Sequence, residues 1–137
     1  MGSIFALYGR SNCGKSESIK NVFNLLKSKY PSAKVNMVFT GTDIKVIMAT
    51  IKGLYIGIES QGDPYSRLEQ SLIDFENAGC DIIFCASRTR GMTVDWINSH
   101  RGKYIIDWTD QKYVAGKTAQ TNNNLLIAQA LITKAGL

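Results

Sequence analysis

Hydrophobic and polar residues change rhythm along this chain in a regular way. Residues 3–8 (Ser-Ile-Phe-Ala-Leu-Tyr) are a short apolar run, which predicts a buried strand ending at Gly9. Ile19, Val22, Phe23, Leu26 and Tyr30 then recur at helical spacing, with Lys20, Lys27 and Lys29 elsewhere. That spacing predicts an amphipathic helix over 15–30, stopped by Pro31. Val35, Met37 and Phe39 alternate with Asn36 and Val38 up to the turn Thr40-Gly41-Thr42. Residues 43–51 are rich in β-branched side chains, Lys52-Gly53 is a hairpin-turn signal, and Leu54–Glu59 is a second apolar strand. Consecutive strands with no helix between them imply antiparallel pairing.

The second half alternates helix and strand. Asp63 is placed to cap a helix with Pro64 in its first turn, and Leu68, Leu72 and Phe75 form its apolar stripe before Gly79 ends it. Residues 81–86 predict a buried strand, 87–91 a loop, 92–99 a short helix and 103–108 a strand. Residues 109–118 are loop-like, and a last helix over 119–135 has Leu125, Ala128 and Ile132 on one face. The pattern predicts one domain over residues 1–137. Its expected form is a three-layer α/β/α sandwich, with a mostly parallel sheet and an antiparallel hairpin around 35–59. Ligands in such sheets bind beyond the carboxyl ends of the strands, which points to loops 9–16, 59–64, 87–91 and 107–118.

Composition narrows the function classes. At 137 residues, 45% of them hydrophobic and 20% charged, the chain can bury a core without disulfides or a structural metal. Cys13, Cys80 and Cys85 are odd in number and lack a zinc spacing, which predicts reduced thiols and a cytoplasmic protein. His100 is the single histidine, so a His-based triad would depend on it alone. No apolar run is long enough for a membrane span, and the start Met1-Gly2-Ser3 predicts neither a secretion signal nor a myristoylation site. Residues 1–62 hold eight Lys/Arg against three acids, whereas residues 63–137 hold eight of each. A basic half suits anionic partners: nucleotide phosphates first, and nucleic acid only without the support of a recognition motif.

One motif carries most of the chemistry. Gly9-Arg10-Ser11-Asn12-Cys13-Gly14-Lys15-Ser16 matches G-x-x-x-x-G-K-[ST] in full, between a predicted strand and a predicted helix. Glycines leave room for a phosphate chain, and successive backbone N–H groups at a helix N-terminus point at the anion. Lys15 would supply charge to the phosphates, and Ser16 a hydroxyl to Mg²⁺. The thiol of Cys13 inside this loop would block binding if oxidised. On these residues the chain resembles the P-loop NTPase superfamily. That resemblance implies binding of ATP or GTP with Mg²⁺ and leaves the reaction open.

The rest of the site is read from the remaining loops. The resemblance implies an acid at the end of a second apolar strand that helps to hold Mg²⁺. Glu59 is the first candidate and Asp63 the second, although Asp63 reads equally as a helix cap. Glu59-Ser60-Gln61-Gly62 is also similar to the D-x-x-G switch of Ras-like GTPases, with Glu in place of Asp, and Thr40 or Thr42 would then be a switch threonine. The guanine-reading N-K-x-D motif is absent, and Trp108-Thr109-Asp110-Gln111 stands near its expected place. ATP is therefore expected over GTP. Arg88 and Arg90 share one short loop and would stabilise a transferring phosphoryl group. Trp108 or Tyr113 could stack on the base. The expected catalytic set is Lys15, Glu59, Arg88 and Arg90. The expected activity is Mg-dependent phosphoryl transfer or hydrolysis, with a nucleotide or small-metabolite kinase and a nucleotide-sensing adaptor for a protein partner as alternatives.

Overall fold

The computed structural model describes residues 1–137 as an α/β fold with a six-stranded mixed sheet and four helices. The elements are β1 (Gly2–Tyr8), α1 (Lys15–Lys29), β2 (Lys34–Phe39), β3 (Lys45–Ile51) and β4 (Leu54–Glu59). They continue as α2 (Leu68–Asn77), β5 (Ile82–Ser87), α3 (Met92–Asn98), β6 (Tyr104–Asp110) and α4 (Lys117–Lys134). The strand order is β2-β3-β4-β5-β1-β6. The pairs β4/β5, β5/β1 and β1/β6 are parallel, while β2/β3 and β3/β4 are antiparallel as the consecutive strands predicted. No helix is long and apolar enough to cross a membrane.

Alternation along the strands divides the core into two clusters. Phe5 and Leu7 of β1 pack with Ile19, Val22 and Leu26 of α1 and with Ala128 and Leu131 of α4. Ile4 and Ala6, their neighbours on the same strand, pack instead with Leu68, Leu72 and Phe75 of α2 and Ile97 of α3. Each strand residue thus has its helical partner dictated by the pleat. The three cysteines are free and buried in these surroundings. Burial pushes the Cys80 thiol up to about 12 and the Cys85 thiol higher still, with the nearby Glu59 carboxylate adding to the effect at Cys85.

Three expectations are corrected. The helix expected from Pro64 begins at Leu68, because Tyr65 sits at φ 57 and interrupts a helical path. Asp63 is no cap: its carboxylate pairs with Arg88, while the Arg67 amide donates to Gln61 Oε1 at 3.1 Å. In α4 the inward face carries Asn124, Ala128, Leu131 and Ile132, and Leu125 is 40% exposed. A polar residue took the place expected of an apolar one, for a reason found at the site.

Candidate functional site

β1 ends at Tyr8, and the chain turns through residues 9–14 before α1 begins at Lys15. The turn needs unusual backbone. Gly14, at the head of the helix, has φ 103, and a Cβ there would lie 2.6 Å from Asn124 Oδ1 and 2.8 Å from Gln111 Nε2. Glycine therefore satisfies both the conformation and the close approach. Asn12 adopts φ 59, a conformation that Asn tolerates better than most residues.

A buried polar network supports the loop from behind. Gln111, just past β6, is 2% exposed. Its Nε2 donates to the Cys13 carbonyl at 3.0 Å and to Asn124 Oδ1 at 2.8 Å, and its Oε1 accepts from Ser18 Oγ at 2.8 Å. The Gln111 amide also donates to the Tyr8 carbonyl at 2.8 Å. One residue thereby joins β1 through its backbone and the loop, α1 and α4 through its side chain. This explains the inward Asn124, since buried polar groups must be paired.

In front of the loop lies a cavity of about 330 Å³ lined almost wholly by polar residues. Asn12, Gly14, Lys15 and Ser16 form one wall, and Asp43 with the segment Ser60–Asp63 forms the other. The Lys15 ammonium folds back over the loop, donating to the carbonyls of Gly9 at 2.7 Å and Arg10 at 2.8 Å. Burial holds its pKa below the usual lysine value. The neighbouring Cys13 opposes that shift, Arg88 adds to it, and Asp63 opposes it. Ser16 Oγ donates to Asp43 Oδ1 at 2.7 Å, and Ser60 Oγ donates to the same oxygen at 2.8 Å.

Topology explains how the far wall reaches the loop. β5 separates β4 from β1, so the end of β4 is not beside the loop. The segment after Glu59 crosses the carboxyl end of β5 to get there. At the crossing, a Cβ on Gly62 would lie 2.4 Å from the Ala86 backbone. Only a residue without a side chain lets the two backbones pass so closely.

The predicted residues divide accordingly. The loop residues Gly9–Ser16 are assembled around α1, with Arg10 turned outward over the Tyr113 ring at 5.0 Å. Cys13 is 1% exposed, packed within the loop. Ser11 is half-buried and lies outside the cavity wall. Asp63 reaches the cavity and holds Arg88, with Nη2 to Oδ1 at 3.0 Å. Arg90 is exposed and makes no ion pair. Thr40 and Thr42 are exposed, and Asp43 is the residue from that turn that meets Ser16.

Glu59 is placed differently from its expected role. It is wholly buried, but it does not line the cavity. Arg67 grips its carboxylate through Nε at 2.7 Å and Nη2 at 3.1 Å. Ser71 Oγ at 2.6 Å and the Gln61 amide at 3.0 Å use the remaining acceptor capacity. A carboxylate closing a buried strand needs partners, and the segment from Gln61 through Arg67 into α2 supplies them.

Sequence reasoning missed Asp43, Ser60, Gln111, Ser18 and Asn124. Each is a common polar residue whose role depends on contacts 16 to 106 residues away along the chain. The available signals were Ser60 and Gln111, which lie in the stretches 59–64 and 107–118 where ligand contacts were expected.

The donor set around Ser16 suits a hard cation: hydroxyls of Ser16 and Ser60 and carboxylates of Glu17, Asp43 and Asp63, with no sulfur or imidazole. No three His, Cys, Asp or Glu residues anywhere in the chain gather closely enough to hold a metal ion by themselves. Such sparse carboxylate ligation is what Mg²⁺ tolerates when phosphate oxygens and water complete its shell. No protein-family model, curated protein or solved structure matches this chain.

Proposed function

We propose that the chain is a small P-loop NTPase that binds a nucleoside triphosphate, ATP in preference to GTP, with Mg²⁺. It transfers the terminal phosphoryl group to water or to a small acceptor. The architecture in this reading is a three-layer α/β/α sandwich of the P-loop type, which the two helix-backed core clusters support. One observation carries the functional reading. A complete Gly9–Ser16 loop heads α1, its lysine buried and its serine facing an acid across a polar cavity.

Each residue then has a task. The loop amides and the α1 N-terminus bind phosphate oxygens. Lys15 exchanges its two carbonyl partners for phosphate, a stronger acceptor. Ser16 and Asp43 would hold Mg²⁺, and the Ser60 hydroxyl and Asp63 carboxylate line the same cavity. The ion, when bound, neutralises charge on the phosphates. Arg88 leaves Asp63 to meet charge on the transferring group. Glu59 sets the path of segment 60–63 rather than touching the metal.

Lys15→Ala abolishes the thermal shift produced by Mg-ATP and leaves the unliganded melting temperature nearly unchanged. Wild-type nucleotide affinity in that variant would overturn the assignment. The discriminating panel is ATP, ADP, GTP and GDP, each with and without Mg²⁺.

A nucleotide-sensing adaptor with little turnover is the second reading. It is favoured by the state of the cavity carboxylates: Asp43 is engaged by two hydroxyls, Asp63 by Arg88 and Glu17 by Lys20, so none stands free as a base. Phosphate release that stays near background while Mg-ATP still stabilises the fold would select it.

A further inference from the structure

A second cavity of about 330 Å³ lies on the opposite side of β1 from α1, and its chemistry differs from that of the phosphate loop. It is lined by Tyr8, Thr89, Val94, Asn98 and Trp108. The cavity exists because the two sides of β1 are covered unequally. α1 and α4 bring 15 and 18 residues to one side, whereas α2 and α3 bring 10 and 7 to the other. Tyr8 shares its face of β1 with Ile4 and Ala6, and the α3 side covers those two but stops short of the strand end.

What remains is an aromatic corner. The Tyr8 and Trp108 rings meet edge to face, with centroids 6.1 Å apart and planes at 76°. Val94 adds an apolar wall and Thr89 a hydroxyl. Asn98 brings an unspent polar group: its Oδ1 is buried and has no hydrogen-bond donor. A buried carbonyl without a donor is costly, and a turn about the terminal torsion brings that oxygen to a ligand N–H. Apolar walls with a few polar groups are the usual form of a small-molecule pocket.

We propose that this cavity is a second ligand site, for a nucleobase-sized planar heterocycle that carries an N–H donor. The ring packs against Trp108 and Tyr8, and the N–H meets Asn98. The site sits beside the phosphate loop because segment 87–91 separates them: Thr89 lines this cavity while Arg88 holds Asp63 of the other. The proposal deepens the reading above by naming the class of acceptor, and in that respect rests on it. Occupancy of the cavity itself does not.

The test is a titration with adenosine, guanosine, cytidine and thymidine in the absence of any triphosphate. Trp96→Phe leaves Trp108 as the single tryptophan, and its emission reports the cavity. Ligand-detected NMR on the unaltered chain gives the same answer if that variant folds poorly. At least one nucleoside quenches Trp108 saturably. Asn98→Ala weakens that binding by about tenfold, and Val94→Phe, which fills the cavity, removes it. Lys15→Ala leaves it intact, so a failed phosphate loop and a failed second site are read separately. Tyr113→Ala also leaves it intact, because that ring lies beside Arg10 outside this cavity. No binding of any of the four nucleosides overturns the proposal. Binding that survives Val94→Phe, or that Tyr113→Ala removes, overturns it as well.

Discussion

Glu59 and Asp43 lie at the same end of two paired strands and have opposite surroundings. Lys45, two residues after Asp43, is directly opposite Glu59 in the β3/β4 ladder. Glu59 is wholly buried and all its acceptor capacity is taken by Arg67, Ser71 and the Gln61 amide. Asp43 is half-buried, borders the polar cavity and offers one oxygen to two hydroxyls. A strand-end position therefore does not make a carboxylate a ligand. What matters is how much of its bonding capacity the fold has left unspent. Glu59 belongs to the fold, and Asp43 to the site.

Substitution separates the two most sharply. Glu59→Ala leaves the Arg67 guanidinium and the Ser71 hydroxyl without their acceptor, and costs about 3–5 kcal/mol of stability. Asp43→Asn keeps an acceptor oxygen and changes stability by only about 0.5 kcal/mol. It lowers the apparent Mg²⁺ affinity seen in Mg-ATP stabilisation by about tenfold or more. Urea unfolding measures the first effect, and a Mg²⁺ titration at fixed ATP the second. Equal losses of stability in the two variants would erase the distinction.

The same contrast explains what could be read from residue order alone. The turn from Gly9 to Ser16 was legible because its signal is local: eight consecutive residues lead from a strand into a helix, and the structure places a turn there. Most strands and helices were legible too, since their periodicity is local. Glu59 was read as the acid that would hold Mg²⁺, and the partners that bury it could not be named. Arg67 caps α2 and Ser71 lies within it, and the start of that helix was misplaced because the positive φ of Tyr65 has no sequence signal. Asp43 was passed over because meeting Ser16 depends on how β2 and β3 pair. Leu125 was preferred to Asn124 for a core position because periodicity weighs polarity and ignores a polar network waiting to be completed.

Gln111 extends the comparison to the back of the loop. Like Glu59, it is a fully engaged group, and its loss would be felt in the fold first. Gln111→Ala strips partners from the Cys13 carbonyl, Ser18 and Asn124. It costs about 1–3 kcal/mol. Unlike Glu59, it touches the loop itself, so Mg-ATP binding weakens with it. A variant that lost stability but bound nucleotide normally would show that the loop holds its shape without this support. Denaturant midpoints and nucleotide thermal shifts on the same samples decide the matter.

Asp74 gives the smallest and most selective test, because it lies between the two extremes. Its Oδ2 pairs with the Lys45 ammonium at 2.5 Å, and Gln70 donates to Oδ1 at 2.8 Å. Lys45 is buried and Asp74 is 41% exposed, so the pair is partly screened by solvent. The hydrogen bond from Lys45, followed by that from Gln70, holds the Asp74 carboxyl below the ordinary aspartate value of 3.8. A depressed folded-state pKa means that the unfolded chain takes up the proton first as pH falls. The pair's contribution is therefore complete above 3.8 and is lost as pH falls through the folded-state value. Asp74→Asn should cost on the order of 1 kcal/mol at neutral pH. Its melting temperature should converge on that of the parent as the solution is acidified below that range. Mg-ATP binding should be unchanged at neutral pH, because Asp74 lies outside the cavity. A constant gap between the two melting curves down to the lowest pH would mean that packing, not charge, sets the worth of this pair. Lost nucleotide binding in Asp74→Asn would mean instead that Lys45 transmits strain along β3 to Asp43, and the line between fold and site would have to be drawn elsewhere.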